Sequence, residues 1–403
     1  MCATRLAVLF ATASVLFGAI LAPAAQTPYY WYGDGTNLGG SGTWNLTGNN
    51  WSSSNTGGGV TNWPNDATYD AYFQGVAGGT VTIDTSVTNA GNLYFGTDGY
   101  TFSGGGGTAS PVHLPDTATI TVDPGVTATI GATLTCAGPF NKDGAGTLYF
   151  TAKQSLCPTN KRINVNQGTL KLTSSPFQYS ASRVYIYDTG TLDLNGGSFA
   201  NQMSWYLNGG TLTSSTPFAS SSMGIVAESG SSTVQAGPSA PYFTSGTGLS
   251  STSGSGTLTT VGNGFAAGLT SGRINFANST QTGPLIVKDG VTSYKSTVDG
   301  AISLTTGNLT LHNGVLAVQA GSTTGDYLTP SFTHSLGAGA GQVQWIGDGG
   351  FGALSTSSPT LTVNLGGNAT PDALAWGQQY FVQDGSRLVF GGADLNNSTS
   401  VTS

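Results

Sequence analysis

A short phrase ending in Gly-Thr-Leu recurs along this chain at nearly constant spacing. It reads KDGAGTLYF at 142–150, NQGTLKL at 166–172, DTGTLDL at 188–194 and NGGTLTS at 208–214. Its leucines are Leu148, Leu170, Leu192 and Leu212, and the series continues more loosely through Val234 and Leu258. A nearly fixed period of about 20–22 residues is typical of a solenoid in which each repeat forms one coil stacked on the last.

The residues of the phrase indicate strands rather than helices. Alternation along a strand places Leu148 and Phe150 inside the coil and Thr147 and Tyr149 outside it. Only 7% of the 403 residues are charged, so the Glu, Lys and Arg that build helix surfaces are scarce, while 38% hydrophobic content argues against disorder. We therefore predict an all-β fold, a right-handed parallel β-helix (β-solenoid) with coils of about 20–24 residues.

Stacking of equivalent coils gives three geometric expectations. The repeated leucines should form an internal ladder at the strand spacing of about 4.8 Å. The glycine before each Thr-Leu should turn a corner with positive φ. Lys171 and Asp193 occupy equivalent outward positions on successive coils, so they should form an exposed pair.

The chain divides into three predicted regions. Residues 1–24 have a basic start, a long apolar run and a small-residue end, which together predict a signal peptide followed by no transmembrane segment. Residues 25–78 contain four of the seven tryptophans and are expected to cap the open strand edge of the helix. Residues 79–403 form the repeat array, and its completeness at the C-terminus is left open.

The two cysteines after the leader suggest a disulfide in an exported protein. The separation of Cys136 and Cys157 falls one short of the local period. Neighbours on stacked coils fall within the Cα distance that a disulfide needs, whereas the one-residue offset could turn the side chains apart. Formation of this bond is left open.

Residues 140–175 resemble the autotransporter-associated β-strand repeat of bacterial exported proteins. That pattern is Lys-x-Gly-x-Gly-Thr-Leu-x-Leu, then a spacer and Asn-x-Gly-Thr-Leu-x-Leu, and it is matched by the phrases beginning at Lys142 and Asn166. The resemblance implies a secreted or surface-exposed β-helical passenger of a diderm bacterium. It supplies no catalytic residue, because the repeat is structural.

Two groups of residues are candidates for binding glycans. Trp44, Trp51 and Trp63 could present aromatic faces to sugars, although packing within the cap is the competing interpretation. A basic cluster could bind an anionic glycan, although solvated coil edges would look the same. Its members are Lys142, Lys153, Lys161, Arg162, Lys171 and Arg183.

The sequence offers no convincing catalytic or metal site. Arg183, Asp188 and Asp193 form the best acidic and basic set, but Asp193 should align with Tyr149 and Lys171 rather than with a second carboxylate. His113, His312 and His334 are dispersed without metal-ligand spacing. We predict neither catalytic residues nor a cofactor.

The predicted function is a non-enzymatic exported surface or matrix scaffold with adhesion as one role. The alternative is a glycan-binding or polysaccharide-degrading (lyase or hydrolase) β-helix. Expected partners are an extracellular glycan or another cell surface. A net charge of −7 disfavours nucleic acid, and the oligomeric state is left open.

Overall fold

The computed structural model describes most of the chain after residue 25. The described ranges are 26–87, 89–104, 112–152, 154–156, 161–173, 183–195, 204–216, 224–236, 251–262, 273–276, 279–296, 307–320, 331–354, 361–367 and 373–391. Regular structure in these ranges consists of strands alone, and no helix there is long and apolar enough to cross a membrane. The predicted signal peptide lies outside the described residues.

The strands are short and numerous, in keeping with the Gly-rich turns between them. They are β1 (Thr27–Trp31), β2 (Gly42–Trp44), β3 (Trp51–Ser52), β4 (Tyr69–Phe73), β5 (Thr80–Ile83), β6 (Leu93–Phe95), β7 (Tyr100–Gly104), β8 (Val112–His113), β9 (Thr119–Val122), β10 (Thr127–Ile130), β11 (Leu134–Cys136), β12 (Phe140–Asp143), β13 (Thr147–Phe150), β14 (Ser155–Leu156), β15 (Arg162–Leu172), β16 (Arg183–Asp193), β17 (Ser204–Asn208), β18 (Thr211–Ser214), β19 (Gly224–Ser229), β20 (Ser231–Ala236), β21 (Ser251–Gly254), β22 (Thr257–Val261), β23 (Ile274–Phe276), β24 (Ser279–Gln281), β25 (Leu285–Ser296), β26 (Leu309–Ala320), β27 (Ser331–Thr333), β28 (Val343–Trp345), β29 (Gly349–Leu354), β30 (Thr362–Asn364) and β31 (Leu388–Phe390).

Each coil carries strands on up to three faces. In one coil the first, second and third faces are β9, β10 and β11, and the next coil repeats them as β12, β13 and β14. All three pairs are parallel, as expected when a chain returns to the same face after one full turn. The prediction of an all-β parallel β-solenoid is confirmed.

The predicted leucine ladder is confirmed over five coils. Leu148 pairs in register with Leu170, Leu170 with Leu192, Leu192 with Leu212, and Leu212 with Val234. All five side chains are fully buried. Thr147 and Tyr149 lie on the outer side of the same strand, as alternation requires.

The predicted continuation of the ladder to Leu258 is wrong. Thr260 is the register partner of Val234, and Leu258 instead pairs with Ser232. The coil between these partners is longer than the one that separates Leu170 from Leu192. The predicted coil length therefore describes the coils of the repeated phrase, while several others are longer.

The glycines of the phrase are required mainly by close approach of neighbouring coils, not by positive φ. Of the glycines at 146, 168, 190 and 210, only Gly168 has a positive φ, at 62°. A Cβ at Gly190 would lie 2.2 Å from the carbonyl oxygen of Val165 on the preceding coil. Any larger residue there would force the two coils apart.

The N-terminal end departs from the parallel pattern. Strand β1 pairs in parallel with β4 but antiparallel with β3, which covers its other edge. Covering an edge in this way removes unpaired backbone groups that invite aggregation. The predicted boundary of the cap at residue 78 stays a prediction.

Candidate ligand-binding surface

The three tryptophans proposed as a sugar platform lie inside the N-terminal end. Trp44 and Trp51 are fully buried and Trp63 is 2% exposed. Their ring centroids lie 4.6–5.0 Å apart, and Phe73 packs against Trp44 and Trp51 at 5.8 and 5.6 Å. A sugar stacks only on an exposed ring face, so we correct the glycan-platform hypothesis: these indoles form the aromatic core of this end.

The predicted basic cluster is divided between the interior and the surface. Lys142 takes the inward position between Ile120 and Val165 and is fully buried. Its Nζ donates to the carbonyl oxygens of Asp143, Gly144 and Gln167 at 2.9, 2.7 and 3.0 Å. Burial lowers the pKa of Lys142 to about 8. Lys142 is therefore an internal cross-link between coils rather than a surface cation.

The remaining basic residues have different surroundings. Lys153 lies outside the described residues. Lys161, Arg162 and Arg183 are exposed where first-face strands begin. Lys171 lies on the second face, with its Nζ 5.3 Å from the centroid of the Tyr149 ring.

Two arginines and two tyrosines form an ordered surface on the first face, which we call the arginine–tyrosine strip (Arg162, Arg183, Tyr185 and Tyr206). Arg162 pairs in register with Arg183, and Tyr185 with Tyr206. The Arg162 guanidinium lies 4.4 Å above the Tyr185 ring, and that of Arg183 lies 6.0 Å from the Tyr206 ring. The two rings stack on each other at 4.6 Å with an interplanar angle of 12°.

The strip follows from parallel stacking of equivalent positions. Residues one coil apart lie side by side, so a side chain repeated at the coil period forms a ladder on the outer surface. Arg162 and Arg183 have the same separation along the sequence as Tyr185 and Tyr206. This shared spacing is the sequence signal for the strip, whose tyrosines are not among the residues predicted to bind a ligand.

A second outer ladder of tyrosines lies nearer the N-terminus and was also overlooked. Tyr30 pairs in register with Tyr72, and Tyr72 with Tyr94, with ring centroids 5.2 and 4.9 Å apart. The Tyr94 hydroxyl donates to Asp123 Oδ2 at 2.5 Å. Burial, followed by this hydrogen bond and the charge of Asp123, raises the pKa of Tyr94 to about 12.

The pair predicted between Lys171 and Asp193 is present, but it is only partly exposed. Lys171 Nζ lies 3.8 Å from Asp193 Oδ2, and their side chains are 30% and 10% exposed. Asp193 Oδ1 also accepts hydrogen bonds from the backbone N–H groups of Asn195 and Ser215, at 3.0 and 2.8 Å. The Asp193 carboxylate is largely buried because it accepts hydrogen bonds from its own turn and from the next coil.

The acidic and basic set considered for catalysis (Arg183, Asp188 and Asp193) does not bring two carboxylates together. Asp193 pairs in register with Lys171, as expected, and also with Thr213, and Asp188 lies exposed at the preceding corner. Within the described ranges, no three residues among His, Cys, Asp and Glu are grouped to hold a metal ion.

The register partner of Cys136 on the next coil is Leu156, not Cys157. Cys157 itself lies outside the described residues. Cys136 is buried, and its Sγ lies 3.5 Å from the carbonyl oxygen of Gly138. The disulfide stays a prediction.

Comparison with known proteins gives one informative similarity. Over 186 residues, or 44% of its length, the chain is 35% identical to the adhesin BmaC autotransporter of Brucella suis biovar 1 (strain 1330). The chain spans only 5% of the length of that relative. No family model and no solved structure matches the chain.

The fold and this similarity agree with each other. The structure is a parallel β-solenoid built on the repeated phrase, and the relative is an autotransporter adhesin. The resemblance to a bacterial β-helical autotransporter passenger, indicated by the phrases beginning at Lys142 and Asn166, is confirmed.

Proposed function

We propose that this chain is an exported, non-enzymatic β-helical scaffold of a Gram-negative bacterial surface and that it acts in adhesion. The observation that carries the proposal is the 35% identity over 186 residues to a protein named as an adhesin autotransporter. Because the chain spans 5% of that protein, adhesion by this segment is a proposal about the coils themselves.

The architecture supports this role physically. Continuous parallel pairing from Leu148 to Val234 makes a stiff rod in which each coil pairs with the next. Outward positions, such as those of Thr147 and Tyr149, alternate with the buried ladder and are free to vary without loss of the core. Such a rod can present a long row of side chains to another surface.

The adhesive role is tested with beads that carry the full chain. We expect these beads to be retained on cultured mammalian cells several-fold more than beads carrying albumin. A Leu148→Asp/Leu192→Asp variant, which places two carboxylates inside the ladder, is the control for the folded coil. Equal retention of wild-type and albumin beads would contradict the adhesive role.

Export is tested separately by treating intact producing cells with a protease that does not enter them. A surface protein is degraded while a periplasmic marker survives. Protection of the chain until the outer membrane is opened would contradict surface exposure.

A second candidate function, glycan binding, is favoured by the arginine–tyrosine strip.

A further inference from the structure

We propose that the arginine–tyrosine strip binds a linear polyuronate, that is, a polysaccharide whose charges are carboxylates. This inference rests on the proposed adhesive function and names the ligand class for one surface of the rod. It is built on the outward-facing residues Arg162, Arg183, Tyr185 and Tyr206, which lie away from the structural interior.

The strip places two like charges side by side. Arg162 and Arg183 are direct register partners on adjacent strands, so their positive charges occupy neighbouring outward positions. Among the described residues, no ion pair engages Arg183. A polyanion that reaches this surface meets two guanidinium groups at once.

The tyrosines hold the guanidinium groups in place before any ligand arrives. Arg162 packs over Tyr185, which is 4% exposed beneath it, and Arg183 approaches Tyr206. A cation over an aromatic face is stabilised by the ring quadrupole and loses less freedom on binding. The strip is therefore preorganised, unlike two long side chains moving freely in solvent.

The chemistry of the donors favours carboxylates carried on sugar rings. The planar guanidinium fork matches a planar carboxylate with two parallel hydrogen bonds. Arg162 and Arg183 lie one strand spacing apart, about 4.8 Å, so they can engage charges repeated along one polymer. Tyr206 is partly buried and leaves part of its ring beside these cations for a sugar to contact.

Because the chain as a whole is negatively charged, we expect it to attract a polyanion only at a local basic patch such as the strip. A chain with a net charge of −7 repels polyanions over most of its surface. Attraction is therefore expected at this first-face patch and should weaken as salt is added. A polyanion bound elsewhere would not depend on these arginines.

The test measures affinity of the full chain for polygalacturonate by biolayer interferometry, with dextran as the neutral polymer and heparin as the sulfated one. We expect Arg183→Gln to weaken polygalacturonate binding about tenfold, because it removes charge-assisted hydrogen bonds. Arg183→Lys keeps the charge, loses the fork and should fall between wild type and Arg183→Gln. Lys288→Gln removes one partly exposed cation far from the strip and should bind within about twofold of wild type.

Circular dichroism first establishes that each variant keeps the wild-type strand signal. The inference is overturned if Arg162→Gln/Arg183→Gln binds polygalacturonate as wild type does, or if wild type does not bind it. Tighter binding of heparin with the same dependence on the two arginines would overturn the carboxylate assignment and point to a sulfated glycan.

The bead assay separates this inference from the adhesive role. Wild-type beads retained on cells without polygalacturonate binding would overturn the inference and leave adhesion standing. Arginine-dependent binding of polygalacturonate without retention on cells would support the inference and contradict adhesion.

Discussion

Two stretches of the solenoid share the same backbone pairing and have different interiors. The apolar coils, residues 140–214, stack Leu148, Leu170, Leu192 and Leu212 along their axis. The polar-core coils, residues 231–294, enclose several hydroxyl and amide side chains. The buried polar residues on their inner face are Ser232, Thr252, Thr260, Gln281 and Thr292.

The polar interior is retained because its side chains hydrogen-bond to one another and to the backbone. Thr292 Oγ1 donates to Thr260 Oγ1 at 2.6 Å. Gln281 Nε2 donates to the carbonyl oxygen of Gly256 at 2.6 Å. A buried hydroxyl with a partner costs little, whereas one without a partner costs about 1–3 kcal/mol. The parallel backbone ladder thus accepts either interior when most of its buried polar groups are paired, although Gln281 Oε1 has no hydrogen-bond partner among the described residues.

The largest expected effect comes from opening a cavity in the apolar coils. Leu170→Ala should lower the free energy of unfolding by about 2–5 kcal/mol, because Leu170 is packed between the leucines above and below it. Chemical denaturation followed by circular dichroism measures the change. The matched control is Thr169→Ala, an outward change in the same strand, with an expected cost below about 1 kcal/mol. Equal costs for the two variants would mean that the ladder does not hold these coils together.

Lys142 is a buried cation inside the apolar coils and makes their stability depend on pH. Its pKa is lowered from 10.5 to about 8 by burial, so between these values the unfolded chain binds more protons than the folded one. Stability therefore rises as pH increases through about 8 towards 10.5, by at most about 3 kcal/mol. The penalty for burying the ammonium is fully present below about pH 8.

The effect of Lys142 is isolated by comparison with Lys142→Met. We expect the free energy of unfolding of wild type, relative to Lys142→Met, to increase from pH 7 to pH 10. Tyrosines that titrate in this range are common to both chains and cancel in the difference. A difference that stays constant with pH would show that Lys142 keeps its proton inside the coil.

Two glycines that precede a Thr-Leu pair, one in each stretch, differ in how closely the neighbouring coil approaches them. A Cβ at Gly190 meets a backbone oxygen at 2.2 Å, whereas at Gly256, which precedes Thr257 and Leu258 in the polar-core coils, the nearest atom is 3.0 Å away. Gly190→Ala should therefore cost about 1–3 kcal/mol, and Gly256→Ala less than about 1 kcal/mol. Thermal unfolding of the two variants and of wild type, at one protein concentration, measures the difference. Similar shifts in Tm would mean that the local approach of the neighbouring coil does not set the cost of these substitutions.

The sequence predicted the apolar coils well because period and alternation agree there. It failed at Leu258 because a register shift of two positions preserves alternation. Both Val234 and Ser232 face inward, so spacing alone could not decide which of them lies opposite Leu258. Only the paired backbone of neighbouring coils settles that choice.

The candidate site was predicted less well, because residue type was given more weight than position. Lys142 follows the inward Phe140 by two positions, so alternation already placed it inside, but its charge suggested the surface. Trp44 and Trp51 are of the residue type that stacks on sugars. Residue type alone does not show whether a ring is packed in the core or exposed. The predicted basic cluster includes Arg162 and Arg183. It does not include the two tyrosines beside them, so the ordered strip could not be recognised from the basic residues alone.

The smallest expected effect tests whether pairing, rather than polarity, is what the polar-core coils require. Thr260→Val removes the acceptor of the Thr292 hydroxyl and should cost about 1 kcal/mol. The double variant Thr260→Val/Thr292→Val removes both hydroxyls and should recover most of that loss, because neither hydroxyl is then left without the other. Denaturation of the four chains of this cycle gives the coupling energy. Additive losses would show that the two threonines act independently, and the contrast between the two interiors would then need another explanation than hydrogen-bond pairing.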